Sequence, residues 1–179
     1  MPNYHRAYQA GGCYFFTVNL QQRYPNDLLV RHIDVLRAAF RDVVQRHPFG
    51  LDAIVILPDH LHCVLTLPAD DVDYPTRWRL IKSYFSRQLS ATEPSSDNRH
   101  KRYERNIWQR RYWEHLIRDE RDWRAHIDYV HINPQHHGYV TQVADWPFST
   151  FHRYVQQGIY PVDWGGSHDT VAKIASAGE

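Results

Sequence analysis

Apolar positions recur along this chain with two different periods, and the alternation between them predicts the elements. Cys13 to Leu20 is β-branched and aromatic and follows the turn signal Gly11-Gly12, which predicts a first strand. Ile33, Leu36, Phe40, Val43 and Val44 then recur at helical intervals, and Pro48 with Gly50 closes that helix after His47. Leu51 to Leu57 and His60 to Leu67 are two apolar runs joined by Pro58-Asp59, predicted as antiparallel strands with a tight connection. Because side chains alternate along a strand, Leu61, Cys63, Leu65 and Leu67 share one face and His60, His62, Val64 and Thr66 the other.

Pro75-Thr76 opens a second helix with Trp78, Ile81, Phe85 and Leu89 on one side. Ser90 to Asn106 is polar and then basic, predicting a mobile loop inside the domain. Ile107 to Ile117 holds a fourth strand near its end, and Asp119 or Asp122 caps a third helix that runs to about Ile132, with Asn133-Pro134 ending it. The chain after Gly138 is rich in Pro, Gly and aromatics and predicts short surface pieces. This order predicts an α+β, ferredoxin-like (split βαβ) antiparallel sheet with helices packed on one face, the first and third strands lying centrally.

Composition sets the bounds. With 179 residues, 42% of them hydrophobic, the chain is expected to form one domain over residues 1–166, followed by a disordered tail over 167–179. No long apolar run and no signal-peptide core occur, so a cytoplasmic protein without a membrane partner is expected. Cys13 and Cys63 are too few for a disulfide framework and read as reduced, buried side chains. The net charge of +1 offers no argument for a polyanionic partner, so any such argument must be local. Arg99, Lys101, Arg102, Arg105, Arg110 and Arg111 do cluster around Tyr103 and Trp108, a mixture of phosphate-binding and stacking groups that alone reads sooner as a solvated loop and, beside a phosphodiester-cleaving site, as a DNA contact. Arg77, Arg79 and Lys82 form a second basic strip.

Two histidines at i and i+2 on one strand can bind one ion, but a chain with 13 His is expected to contain such a pair by chance. The third helix adds Tyr129 and Asn133, one turn apart on one side, with His126 a turn before the tyrosine. A neutral amide oxygen leaves net positive charge on an ion to polarise a phosphate, and a tyrosine nucleophile would need a base such as His126 or His131. A covalent phosphotyrosine bond conserves the energy of the broken linkage, so no nucleotide cofactor is expected. Each of these residues also reads as a helix-face side chain with a packing role.

Taken in order, the segments Gly11-Gly12 with Tyr14 to Leu20, Leu57-Pro58-Asp59-His60-Leu61-His62, Trp78 to Lys82, Ile107-Trp108-Gln109, Tyr112 to His115, Asp128 to Pro134 and Trp146 to Phe151 resemble the REP-associated tyrosine transposases. The resemblance spans most of the chain. It implies a metal-dependent endonuclease and strand transferase acting on single-stranded DNA at REP-type palindromic hairpins, with the tyrosine taking a 5′-phosphate and leaving a 3′-hydroxyl. It implies His60 and His62 as the metal pair, Asn133 as third ligand and Tyr129 as nucleophile, with magnesium or manganese the expected ion and a monomer the working expectation. The long polar loop departs from the family pattern, which bears on hairpin contacts more than on chemistry. Two other readings follow from the same residues: a non-catalytic hairpin-binding regulator, and a metallohydrolase using metal-bound water.

Overall fold

The computed structural model describes residues 8–92 and 107–165. Four strands, β1 (Cys13–Asn19), β2 (Gly50–Ile56), β3 (His60–Thr66) and β4 (Trp113–Leu116), form one antiparallel sheet in the order β2-β3-β1-β4. This is the expected ferredoxin-like order with β1 and β3 central. The first crossover carries the short α1 (Leu28–Arg31) and α2 (Ile33–Arg46), and the second carries α3 (Tyr74–Thr92), so the first three residues of the expected loop are helical. Residues 93–106, with Arg99, Lys101, Arg102 and Arg105, lie outside the described residues, as does the expected tail over 167–179.

Alternation on the central strands places apolar side chains on both faces, and both must be covered. Tyr14, Phe16 and Val18 of β1 with Leu61, Cys63 and Leu65 of β3 form the larger core with α2 and α3, as expected for the two crossover helices. Phe15, Ala53, Val55 and Val64 face the other way. They are covered by Ile127, Tyr129 and Val130 of α4 (Glu120–His136), joined by Tyr154 of α5 (Phe151–Gln156). The expectation of helices on one face therefore holds for α2 and α3 and is corrected for α4, because a two-sided apolar sheet cannot leave one side wet.

Asp119 caps α4, its carboxylate accepting from the Asp122 amide at 2.8 Å. At its other end the helix passes through Asn133-Pro134 and continues to His136, correcting the expected stop. Proline there removes one amide donor near a helix end without breaking the last turn. At the start of the sheet, a Cβ on Gly12 would lie 2.6 Å from the Tyr14 ring, so the turn into β1 has room only for glycine. Cys63 is buried and Cys13 half-buried, both as free thiols. Among the described residues no helix is long and apolar enough to cross a membrane.

Arg77, expected among the DNA contacts, is instead internal, its side chain 2% exposed. Its guanidinium donates to Asp71 at 2.7 and 3.1 Å, to the Asp73 carbonyl at 2.9 Å and to the Pro48 carbonyl at 2.6 Å. It thereby ties the start of α3 to the turn after α2 and has no reach to a phosphate. Arg77→Met is expected to lower the unfolding free energy in urea by about 2–4 kcal/mol, since it strands buried carbonyls, while leaving the DNA affinity of the folded protein unchanged.

Candidate active site

The site forms where the polar end of β3 meets α4. Strand alternation sends both His60 and His62 toward α4, and both are at most 1% exposed. His60 is oriented by its neighbour: Nδ1 donates to Asp59 Oδ1 at 2.6 Å, and Asp59 Oδ2 accepts from Arg23 Nε at 2.9 Å. Burial pushes the Asp59 carboxyl up, but the bonds to His60 and Arg23 and their charges outweigh it and hold it below the usual range. His62 is oriented from across the ladder, Nδ1 lying 2.9 Å from Oγ1 of its strand partner Thr17. Burial first, then the nearby His60, His137 and Arg23, pushes His62 well below its ordinary value, so its imidazole is neutral.

In both rings the outer nitrogen is thus the one left over. Nε2 of His60 and Nε2 of His62 are buried without a hydrogen-bond partner, as are Oδ1 and Nδ2 of Asn133, which is 0% exposed. Buried polar atoms left over in this way are free to take a ligand. Histidines whose inner nitrogens are fixed by a carboxylate and a hydroxyl have the arrangement of metal-ligating imidazoles, and a buried amide oxygen completes a donor set that fits a divalent ion.

Docking of α4 brings Tyr129, Asn133 and His137, spaced one turn apart, along one side of the helix. The Tyr129 ring stands 5.3 Å from that of His62 and the His137 ring 5.2 Å from that of His60, and Asn133 is the residue between Tyr129 and His137 in that row. One ring nitrogen each of His60, His62 and His137 lies within 4.8 Å of the others, a cluster that could hold a metal ion. His137 was not among the sequence candidates, because a helix read as stopping at Asn133 leaves it off the row.

Of the expected bases, His131 is not brought to the site. Two residues beyond Tyr129 means a different side of the helix: its Nε2 sits 2.9 Å from Thr150 Oγ1 and its ring packs on Tyr154 and Tyr160. Burial lowers it to about 3. His126 is closer, sharing the Phe15 ring with Tyr129 at 4.9 and 5.7 Å. Its Nδ1 donates to the Asp122 carbonyl at 2.8 Å, which leaves Nε2 as the basic nitrogen, and burial first of all lowers its affinity for a proton. Asp122 also accepts from His115 Nε2 at 2.9 Å and from the Arg118 amide at 3.0 Å, linking β4 to α4.

The basic residues divide. Arg79, Arg110 and Arg111 are exposed. Lys82, Arg87, Gln109 and Arg110 line a cavity of about 330 Å³ between α3 and the segment after residue 107. Lys82 donates to the Gln109 carbonyl at 3.0 Å and lies over the Tyr112 ring at 5.1 Å. Trp108 is only 7% exposed and packs edge-on against Phe85 at 5.4 Å, so it is core and not a stacking platform. The cavity and the histidines meet at one end of the sheet: Gln109 bonds back to Asn19, and Asn19 pairs with His60.

A family model described as "Transposase IS200 like" matches residues 16–133. The chain is 48% identical over 166 residues to the REP-associated tyrosine transposase of Escherichia coli (strain K12), covering 93% of this chain and 92% of that protein. A Haemophilus influenzae relative is 47% identical over 174 residues, 97% of this chain and 98% of its own. A solved REP-associated tyrosine transposase bound to a REP hairpin superposes with a TM-score of 0.82 at 47% identity, over 93% of each chain.

The Asp122 network predicts a pH dependence. Burial raises this carboxyl, but bonds from His115 and Arg118 dominate and bring it from 3.8 to about 2. A depressed carboxyl contributes stability that is fully present above its unfolded pKa of about 3.9 and is lost as pH falls through the folded value. Asp122→Asn is therefore expected to melt below wild type near neutral pH, the difference closing as both are acidified below about pH 4 in a circular-dichroism series.

Proposed function

Because the chain belongs to the IS200-like transposases, and among them to the REP-associated tyrosine transposases that cleave and rejoin DNA, we propose that it is a metal-dependent single-stranded DNA endonuclease and strand transferase acting on REP-type hairpins. The observation that carries this reading is the Tyr129 ring standing 5.3 Å from that of His62, whose buried Nε2, like that of His60, lacks a partner.

His60 and His62 through Nε2, with Asn133 through Oδ1, would hold the ion. When bound, a divalent ion polarises a phosphate oxygen and stabilises the charge that develops on it in the transition state. Tyr129 Oη attacks the phosphorus, the P–O3′ bond breaks, and the tyrosine keeps the 5′-phosphate while the departing oxygen takes up a proton as a free 3′-hydroxyl. His126 is the proposed base for the phenol proton. Its Nδ1–H is engaged by Asp122 and its ring is kept neutral, so Nε2 can accept. Attack by a 3′-hydroxyl on the phosphotyrosine reverses the step and joins strands without a nucleotide cofactor.

Tyr129 is 2% exposed and His60 and His62 less, so a phosphodiester reaches these three only when part of this surface opens. The dry surroundings strengthen every charge interaction once it has entered. Arg79, Lys82, Arg110 and Arg111, with Arg99, Lys101, Arg102 and Arg105, are the proposed phosphate contacts. Of these, Lys82 and Arg110 line the cavity beside α3, whose Gln109 bonds back to Asn19, the strand partner of His60.

The test is a denaturing-gel assay for a covalent protein–DNA adduct on single-stranded palindromic oligonucleotides taken from beside the gene, with magnesium or manganese. An adduct that requires metal and is absent in both Tyr129→Phe and His62→Ala is expected. Cleavage that persists in Tyr129→Phe would mean attack by water. Tight hairpin binding without cleavage by any variant would make the protein a regulator. In a native binding titration on the same hairpins at several salt concentrations, Arg110→Ala with Arg111→Ala should lower hairpin affinity and flatten its salt dependence by about two counterions' worth of slope.

A further inference from the structure

We propose that His137 is a third imidazole ligand of the bound ion, giving a three-histidine set with Asn133 beside it, and that this set selects manganese, cobalt or zinc over magnesium. The proposal rests on the metal reading of His60 and His62 and adds to it one residue and a selectivity.

Convergence is the first argument. The nitrogens offered by His60, His62 and His137 lie within 4.8 Å of one another. Imidazole–metal bonds of about 2.0–2.1 Å set tetrahedral ligands about 3.4 Å apart, so small side-chain rotations close the set around an ion. The rings of His62 and His137 stand edge-on to that of His60, at 87° and 75°.

The second argument is that the backbone fixes where His137 stands. Its amide donates to the carbonyl of Asn133 at 3.0 Å, which holds it as the cap of α4. Gly138 then leaves the helix at φ +74°, a conformation natural to glycine, with its amide on Gln135 at 3.0 Å and that of Tyr139 on Pro134 at 2.9 Å. The row begun by Tyr129 and Asn133 therefore extends one turn to His137, while the adjacent His136 is exposed.

Ligand chemistry supplies the selectivity. Magnesium takes oxygen ligands in near-ideal octahedral geometry and keeps much of its water, whereas imidazole suits manganese, cobalt and zinc increasingly well. One amide oxygen and three ring nitrogens form a poor magnesium site.

The measurement is direct binding to the full chain stripped of metal. Cobalt(II) is titrated and followed by its ligand-field absorption, and manganese(II) and magnesium(II) are measured by competition, for wild type, His137→Ala, His137→Gln and His62→Ala. Melting temperatures of the ion-free proteins report that the folds match. Wild type is expected to bind cobalt and manganese well above magnesium. Both His137 variants should lose about 10–100-fold in cobalt affinity, with an altered spectrum and little change toward magnesium. Wild-type affinity and spectrum in both His137 variants, with binding abolished in His62→Ala, would overturn the third-ligand assignment and leave the histidine pair standing. Binding unaffected by His62→Ala, or absent from wild type, would overturn the metal reading itself.

Discussion

The docking of α4 on the histidine-bearing face of the sheet is the contact on which everything functional depends. β1 and β3 carry apolar side chains on both faces, and Phe15, Val55 and Val64 stay dry only if something lies over them. Ile127 and Val130 supply that cover. Packing through these positions sets the Tyr129 ring beside that of His62, so the force that buries the sheet also assembles the proposed site.

That assembly runs against folding preferences. Two imidazole nitrogens and a whole carboxamide are buried without partners, each costing about 1–3 kcal/mol, and a chain selected for stability alone would fill those positions with apolar groups. Orientation is nonetheless exact where chemistry needs it: Asp59 and Thr17 hold the inner nitrogens of the two rings. A rigid outer arrangement around an unsatisfied centre is what a ligand-binding site requires, because the ligand meets groups already aimed at it.

Several residues whose type suggested function have structural work. Arg77 closes the turn between α2 and β2, Trp108 packs on Phe85, and His131 joins Thr150 and the aromatic rings of the C-terminal segment. In each case side-chain chemistry alone was ambiguous, since a guanidinium satisfies carbonyls as readily as phosphates and an indole packs as readily as it stacks. Burial is what separates the two uses.

Alternation in His60-Leu61-His62-Cys63 was enough to show that the two histidines face together, because the period of a strand is two whatever surrounds it. The intervals in the helices, the Pro58-Asp59 turn and the order of elements likewise determined the sheet and its central strands, since these depend on local periodicity and on the few topologies that a split βαβ allows. Tyr129 and Asn133 were legible as neighbours by helical spacing, and as chemistry through the family resemblance. Which face α4 covers was decided only by tertiary structure, because the competition between a wet sheet face and a buried one is settled by both clusters at once. The same holds for His137: Asn133-Pro134 reads locally as a helix stop, yet α4 continues through it to His136 and carries the third imidazole to His60. Local signals describe what a segment prefers, and packing over the whole sheet decides what it does.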